Sequence, residues 1–108
     1  MKRTYSCPRC QATLNPNVKV ILSAVRDGRR GLVLLSPQPG NYNAIVPEDL
    51  GIEPGDLVEF RCPVCNALLT SSENENLALL RFRFSTGLQG TVLFSRRYGE
   101  HATYFISD

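Results

Sequence analysis

Four cysteines are the residues of this chain best suited to chemistry, and they come as two matched pairs, Cys7-Pro8-Arg9-Cys10 and Cys62-Pro63-Val64-Cys65. In each pair the two intervening residues let the backbone turn so that both sulfurs face one point, and proline fixes φ within that turn. Two such claws closing on one ion supply the four thiolates of a tetrahedral site, with Cys7, Cys10, Cys62 and Cys65 as metal ligands. Zn²⁺ is the expected cofactor, and iron is the alternative because a tetrahedron of sulfurs suits both. Two disulfides would instead need an oxidising compartment, and the residues before Cys7 hold two basic side chains but no apolar leader-like run. A redox dithiol calls for a single C-x-x-C opening a helix in a βαβ unit, a pattern that surrounds neither pair.

Four thiolates fill a tetrahedron and leave no open position for a substrate, so metal-assisted hydrolysis is not expected. Neither a nucleophile elbow nor a phosphate-cradling glycine loop is present. His101, the only histidine, stands beside Glu100 in a polar connection and reads as a surface loop residue. The chain is therefore expected not to be an enzyme.

The paired knuckles resemble zinc ribbons and, more distantly, rubredoxins. In those families a glycine commonly follows the second cysteine of each knuckle, where φ is positive. Gln11 and Asn66 hold those places here, and Asn is the better suited of the two to the left-handed region. The resemblance implies a type of metal site and covers the knuckles and their flanks. A second one lies in residues 45–60, where proline, an acidic turn, Leu50-Gly51-Ile52 and Pro54-Gly55-Asp56 resemble a segment of swapped-hairpin DNA-binding barrels. It implies a small barrel-like β fold.

The remaining elements must hold the knuckles together, and they read as strands. Val18–Val25 is a β-branched apolar run ending at Asp27-Gly28, a favoured two-residue hairpin turn, and residues 31–35 return as its partner. Residues 36–43 are dense in turn formers. A short strand is expected over Ala44-Ile45-Val46, then one helical turn at Pro47–Leu50 with proline at its first position. Glu53-Pro54-Gly55-Asp56 fits a type II turn, and residues 57–60 form a strand feeding the second knuckle. Ser72 and Glu75 suit either a loop or a capped turn. Leu77–Phe84 alternates with period two, so Leu80, Phe82 and Phe84 face a core while Arg81 and Arg83 face water. Strands at 91–94 and 103–106 complete a mostly β fold: a small single domain, residues 1–108, of β-hairpins or a partly open barrel with a zinc-ribbon-like four-cysteine metal site. Residues 11–61 are inserted between the knuckles. No internal repeat is visible.

Hydrophobic residues make up 43% of the chain, and no apolar run approaches membrane-spanning length, so a cytoplasmic protein without membrane contact is expected. The formal charge of +2 falls to near zero once a divalent ion and four thiolates are included, so net charge does not argue for nucleic acid. Charge placement is uneven, with bases concentrated before residue 31 and only acids in residues 31–60. Arginine greatly outnumbers lysine and suits bidentate contacts to phosphate or carboxylate. Arg29 and Arg30 at a hairpin tip, with Arg96 and Arg97 in a late loop, are the candidate contacts to a protein partner or nucleic acid. Three functions follow. The first is a structural-zinc module acting as a small accessory or regulatory protein-interaction domain. The others are a zinc-ribbon nucleic-acid binder and a rubredoxin-like iron electron carrier.

Overall fold

In a computed structural model, which describes residues 3–38, 41 and 43–108, the chain folds into two four-stranded antiparallel sheets. The strands are β1 (Arg3–Ser6), β2 (Val20–Arg26), β3 (Arg29–Leu35), β4 (Ala44–Ile45), β5 (Glu59–Arg61), β6 (Leu77–Phe84), β7 (Gln89–Ser95) and β8 (Thr103–Ser107). One sheet has the order β1-β6-β7-β8 and the other β4-β3-β2-β5. They do not close into a barrel. The expected loop at residues 36–43 lies partly outside the described residues, namely at Pro39, Gly40 and Tyr42.

Local chemistry accounts for most elements. Asp27 and Gly28 both take positive φ, 50° and 78°, as a type I′ turn between β2 and β3 requires. Gly55, at φ 94°, and the bond from Asp56 N–H to Glu53 C=O (3.0 Å) make the type II turn. The helical turn is a 3₁₀ segment, Glu48–Leu50, and Pro47 caps it from an extended conformation instead of starting it. In residues 71–76, side chains of Ser71 and Asn74 take local amides, so this stretch is a loop and not a capped turn. β6 has the expected alternation: Leu80 and Phe82 are buried, Phe84 is half-buried and Arg83 is exposed, while Arg81 pairs with Asp108.

β1 was not expected. It pairs with β6 (Tyr5 opposite Phe82), and its other side is sealed by the chain returning from the first knuckle. Leu14 N–H donates to Tyr5 C=O, and buried Asn15 bridges by accepting from Tyr5 N–H and donating to Arg3 C=O.

The strand registers reveal a repeat that the sequence reading missed. Aromatic-x-Cys-Pro-x-Cys-x-Ala-x-Leu occurs twice, at Tyr5–Leu14 and Phe60–Leu69. Each copy makes the same bonds: Cys7 N–H to Ala12 C=O and Cys62 N–H to Ala67 C=O, then Leu14 N–H to Tyr5 C=O and Leu69 N–H to Phe60 C=O. Leu14 C=O accepts from Ile21 as Leu69 C=O accepts from Leu79. The hairpins then superpose in register, with Ala24 opposite Gly31 as Phe82 is opposite Gly90, and Leu34 opposite Ile45 as Leu93 is opposite Tyr104. Each half is thus a strand, a knuckle, a hairpin and an edge strand. The first strand of each half is exchanged: β1 lies on β6 of the second half, and β5 lies on β2 of the first.

This exchange builds one core across both halves. Tyr5, Leu14, Leu22, Ala24 and Val33 of the first pack in the same cluster as Phe60, Leu69, Leu80, Phe82 and Val92 of the second. The result is a small compact domain with a radius of gyration of 12.9 Å.

Candidate metal centre

Each knuckle is positioned by the exchanged strand that leads into it, β1 into Cys7 and β5 into Cys62. Those first cysteines are buried, at 0% and 1% exposure, while Cys10 and Cys65 are exposed. After the second cysteine the backbone must turn back sharply, and Gln11 and Asn66 do so at φ 65° and 63°. Their amides donate to Cys7 C=O and Cys62 C=O at 3.0 and 2.9 Å, closing the two turns alike. The left-handed conformation disfavours side chains other than Gly and Asn. Gln11→Gly is therefore expected to stabilise the protein by about 0.5–1 kcal/mol, and Asn66→Gly by less. Paired urea titrations measure the difference; equal effects would contradict this account.

The four Sγ atoms lie within 4.8 Å of one another. Across the knuckles, Cys7 Sγ is 3.8 Å from Cys65 Sγ and Cys10 Sγ is 3.8 Å from Cys62 Sγ. A disulfide needs about 2.05 Å, and all four cysteines are free. A zinc–sulfur bond of about 2.3 Å sets the edge of a sulfur tetrahedron at about 3.8 Å. The spacing therefore fits a shared ion. Backbone amides also point at the inner sulfurs: those of Arg9 and Cys10 at Cys7 Sγ (3.3 and 3.5 Å), and those of Val64 and Cys65 at Cys62 Sγ (3.3 and 3.5 Å). Such donors stabilise negative sulfur.

Burial raises the thiol pKa at both inner cysteines. At Cys7 the amides of Cys10 and Arg9, with the Cys62 and Cys65 thiols, outweigh burial and bring it to about 7. At Cys62 burial prevails over the amides of Cys65 and Val64, the Cys65 and Cys7 thiols add to it, and the value is pushed up to about 12. One thiolate forms easily and discourages its neighbour, so a full tetrathiolate needs a cation to balance it. The four cysteines are positioned to bind a metal ion.

The candidate arginines are not gathered into one site by their contacts. Arg30 donates to Asn66 Oδ1 at 2.9 Å, beside the second knuckle, and Arg29 lies against Gly51. Arg96 donates to the carbonyls of Val58 and Glu75, and Arg97 to that of Gly55 at 2.8 Å, so both brace the approach to β5. Arg96, Arg97 and exposed His101 border a cavity of about 460 Å³ between the sheets, with Phe60 and Phe94 in its wall.

A surface that sequence reasoning did not single out lies on the outer face of the second sheet. Cross-strand register aligns Leu32, Ser23, Arg61 and Leu68 in one row. Leu32 and Leu68 are exposed, as is Val64 at the knuckle tip. Alternation in β3 was the available signal, since Val33 faces inward and its neighbours must face out.

No protein-family model, curated protein sequence or solved structure matches this chain. The class defined by fold and site is therefore a small all-β domain, internally duplicated, with a four-cysteine metal-binding cluster. No helix among the described residues is long and apolar enough to cross a membrane.

Proposed function

We propose that this chain is a structural-zinc module acting as a small accessory or regulatory protein-interaction domain. The observation carrying it is the cross-knuckle sulfur spacing of 3.8 Å, the edge expected of a closed tetrathiolate. Cys7, Cys10, Cys62 and Cys65 would hold the ion, which when bound would offset half the charge of the four thiolates and clamp the two halves. A site with four protein ligands keeps no open position, which supports a non-catalytic role. The protein-partner reading is supported by Val64, Leu68 and Leu32, which are 69%, 45% and 56% exposed near the second knuckle. Leu32 and Leu68 stand at the two ends of one cross-strand row, with Ser23 and Arg61 between them, and exposed apolar side chains favour association with another protein.

Two measurements test this reading. Metal analysis of protein from its native host should find one zinc per chain and no visible absorbance; iron with a coloured tetrathiolate overturns the zinc assignment. Affinity capture with the natural chain and with a Leu32→Glu/Leu68→Glu variant should yield a partner that the variant loses. Retention of that partner, or oligonucleotide binding that strengthens as salt falls, would overturn the protein-interaction role.

A further inference from the structure

Among the described residues the two sheets have four edges, and three of these are protected. The outer edges of β1 and β5 are covered by the chain returning from the knuckles, through the Leu14–Tyr5 and Leu69–Phe60 bonds. The third, β4, has two residues and is followed within two positions by Pro47, which has no N–H to offer. The fourth, β8, is the counterpart of β4 in the internal repeat, yet it runs for five residues with no proline or charge within it.

The direction of its free backbone groups follows from the register. Ala102 C=O accepts from Ser95, and Asp108 N–H donates to Gln89 C=O at 3.0 Å. Antiparallel ladders alternate, so the residues at even positions between them turn toward β7. Thr103, Phe105 and Ser107 therefore aim their N–H and C=O groups outward, symmetrically about Phe105. On the outer face Tyr104 and Ile106 are 54% and 55% exposed.

We infer that β8 pairs antiparallel with β8 of a second copy of this chain, centred on Phe105, to form a continuous eight-stranded sheet. The strand is complementary to itself. In this register Thr103 lies opposite Ser107 of the second copy, and Tyr104 lies opposite its Ile106. These are a hydroxyl pair and an aromatic–β-branched pair, both favourable across strands. No charge meets a like charge, and every outward amide of the strand finds a carbonyl. The two-fold arrangement closes, so it removes the open edge from both copies without propagating. It is independent of the metal and of the leucine-bearing surface on the other sheet.

Light scattering and sedimentation of the full chain should show a concentration-dependent dimer. The Tyr104→Lys/Ile106→Lys variant places like charges opposite one another and should weaken dimerisation at least tenfold. Tyr104→Lys/Ile106→Glu places opposite charges there and should recover most of that loss, which separates pairing from misfolding. Exchange of the Phe105 amide should slow as concentration rises. A chain that stays monomeric at millimolar concentration, including one that binds an extended peptide instead, overturns the inference. So does a dimer indifferent to both variants.

Discussion

Stripping the metal from the four-cysteine site is expected to lower the thermal midpoint by roughly 20 °C or more and to disorder residues 3–14 and 59–69 first. A structural zinc in small peptides has an apparent binding free energy on the order of 10–16 kcal/mol, whereas closing a long loop costs only a few. Losing even about 5 kcal/mol would shift a domain of this size by that much. The order of loss follows from the architecture. β1 and β5 have four and three residues, and each leads directly into a buried cysteine. The longer hairpins β2–β3 and β6–β7 keep their own turns without the ion. Backbone amide spectra before and after chelation, with Cys62→Ala as the genetic counterpart, measure it. Unchanged resonances in the two knuckles, with a fully loaded starting protein, would show that the ion does not hold them.

Gly90→Ala is expected to cost about 3 kcal/mol or more and to detach β8 from the sheet. An added Cβ at Gly90 would stand 2.1 Å from the Ile106 carbonyl oxygen and 2.8 Å from Ser107 Cα. Both are backbone atoms of β8, so the strand itself must move. Gly31 occupies the equivalent position of the first half, but there the nearest atom is the Leu50 side-chain Cδ1 at 3.1 Å. That is a side-chain and not a backbone atom, and a shift of a few tenths of an ångström relieves the contact, so Gly31→Ala should cost about 1 kcal/mol. Urea midpoints of the pair, with hydrogen exchange at Thr103–Ser107, test the contrast. Equal costs would mean that no tight approach exists at Gly90.

The parts legible in the sequence were those written locally. Asp27-Gly28 announced a hairpin because few dipeptides accept two positive φ angles, and Leu77–Phe84 announced a strand by alternation alone. The metal ligands were legible because two C-P-x-C pairs leave no cysteine over. β1 was hidden because Arg3–Ser6 is short and pairs with β6, far away in the chain. The duplication was hidden for another reason. Its matched residues, Cys7 with Cys62, Leu14 with Leu69, Gly31 with Gly90 and Val33 with Val92, are separated by a loop and a turn of different length in each half. Only the register realigns them. The positive φ at Gln11 was implied by the knuckle resemblance, against the preference of the residue itself.

Strand exchange between the halves also bears on how the protein is made. Tyr5 finds its partner only at Phe82, so the first strand leaves the ribosome on the order of ten seconds before there is anything for it to pair with. For most of that time the nascent chain carries an unmatched strand and half a set of ligands, and the second pair, Cys62 and Cys65, follows shortly before Phe82. Through that interval the first pair of thiols must stay reduced and clear of other unfinished chains if it is to meet the second.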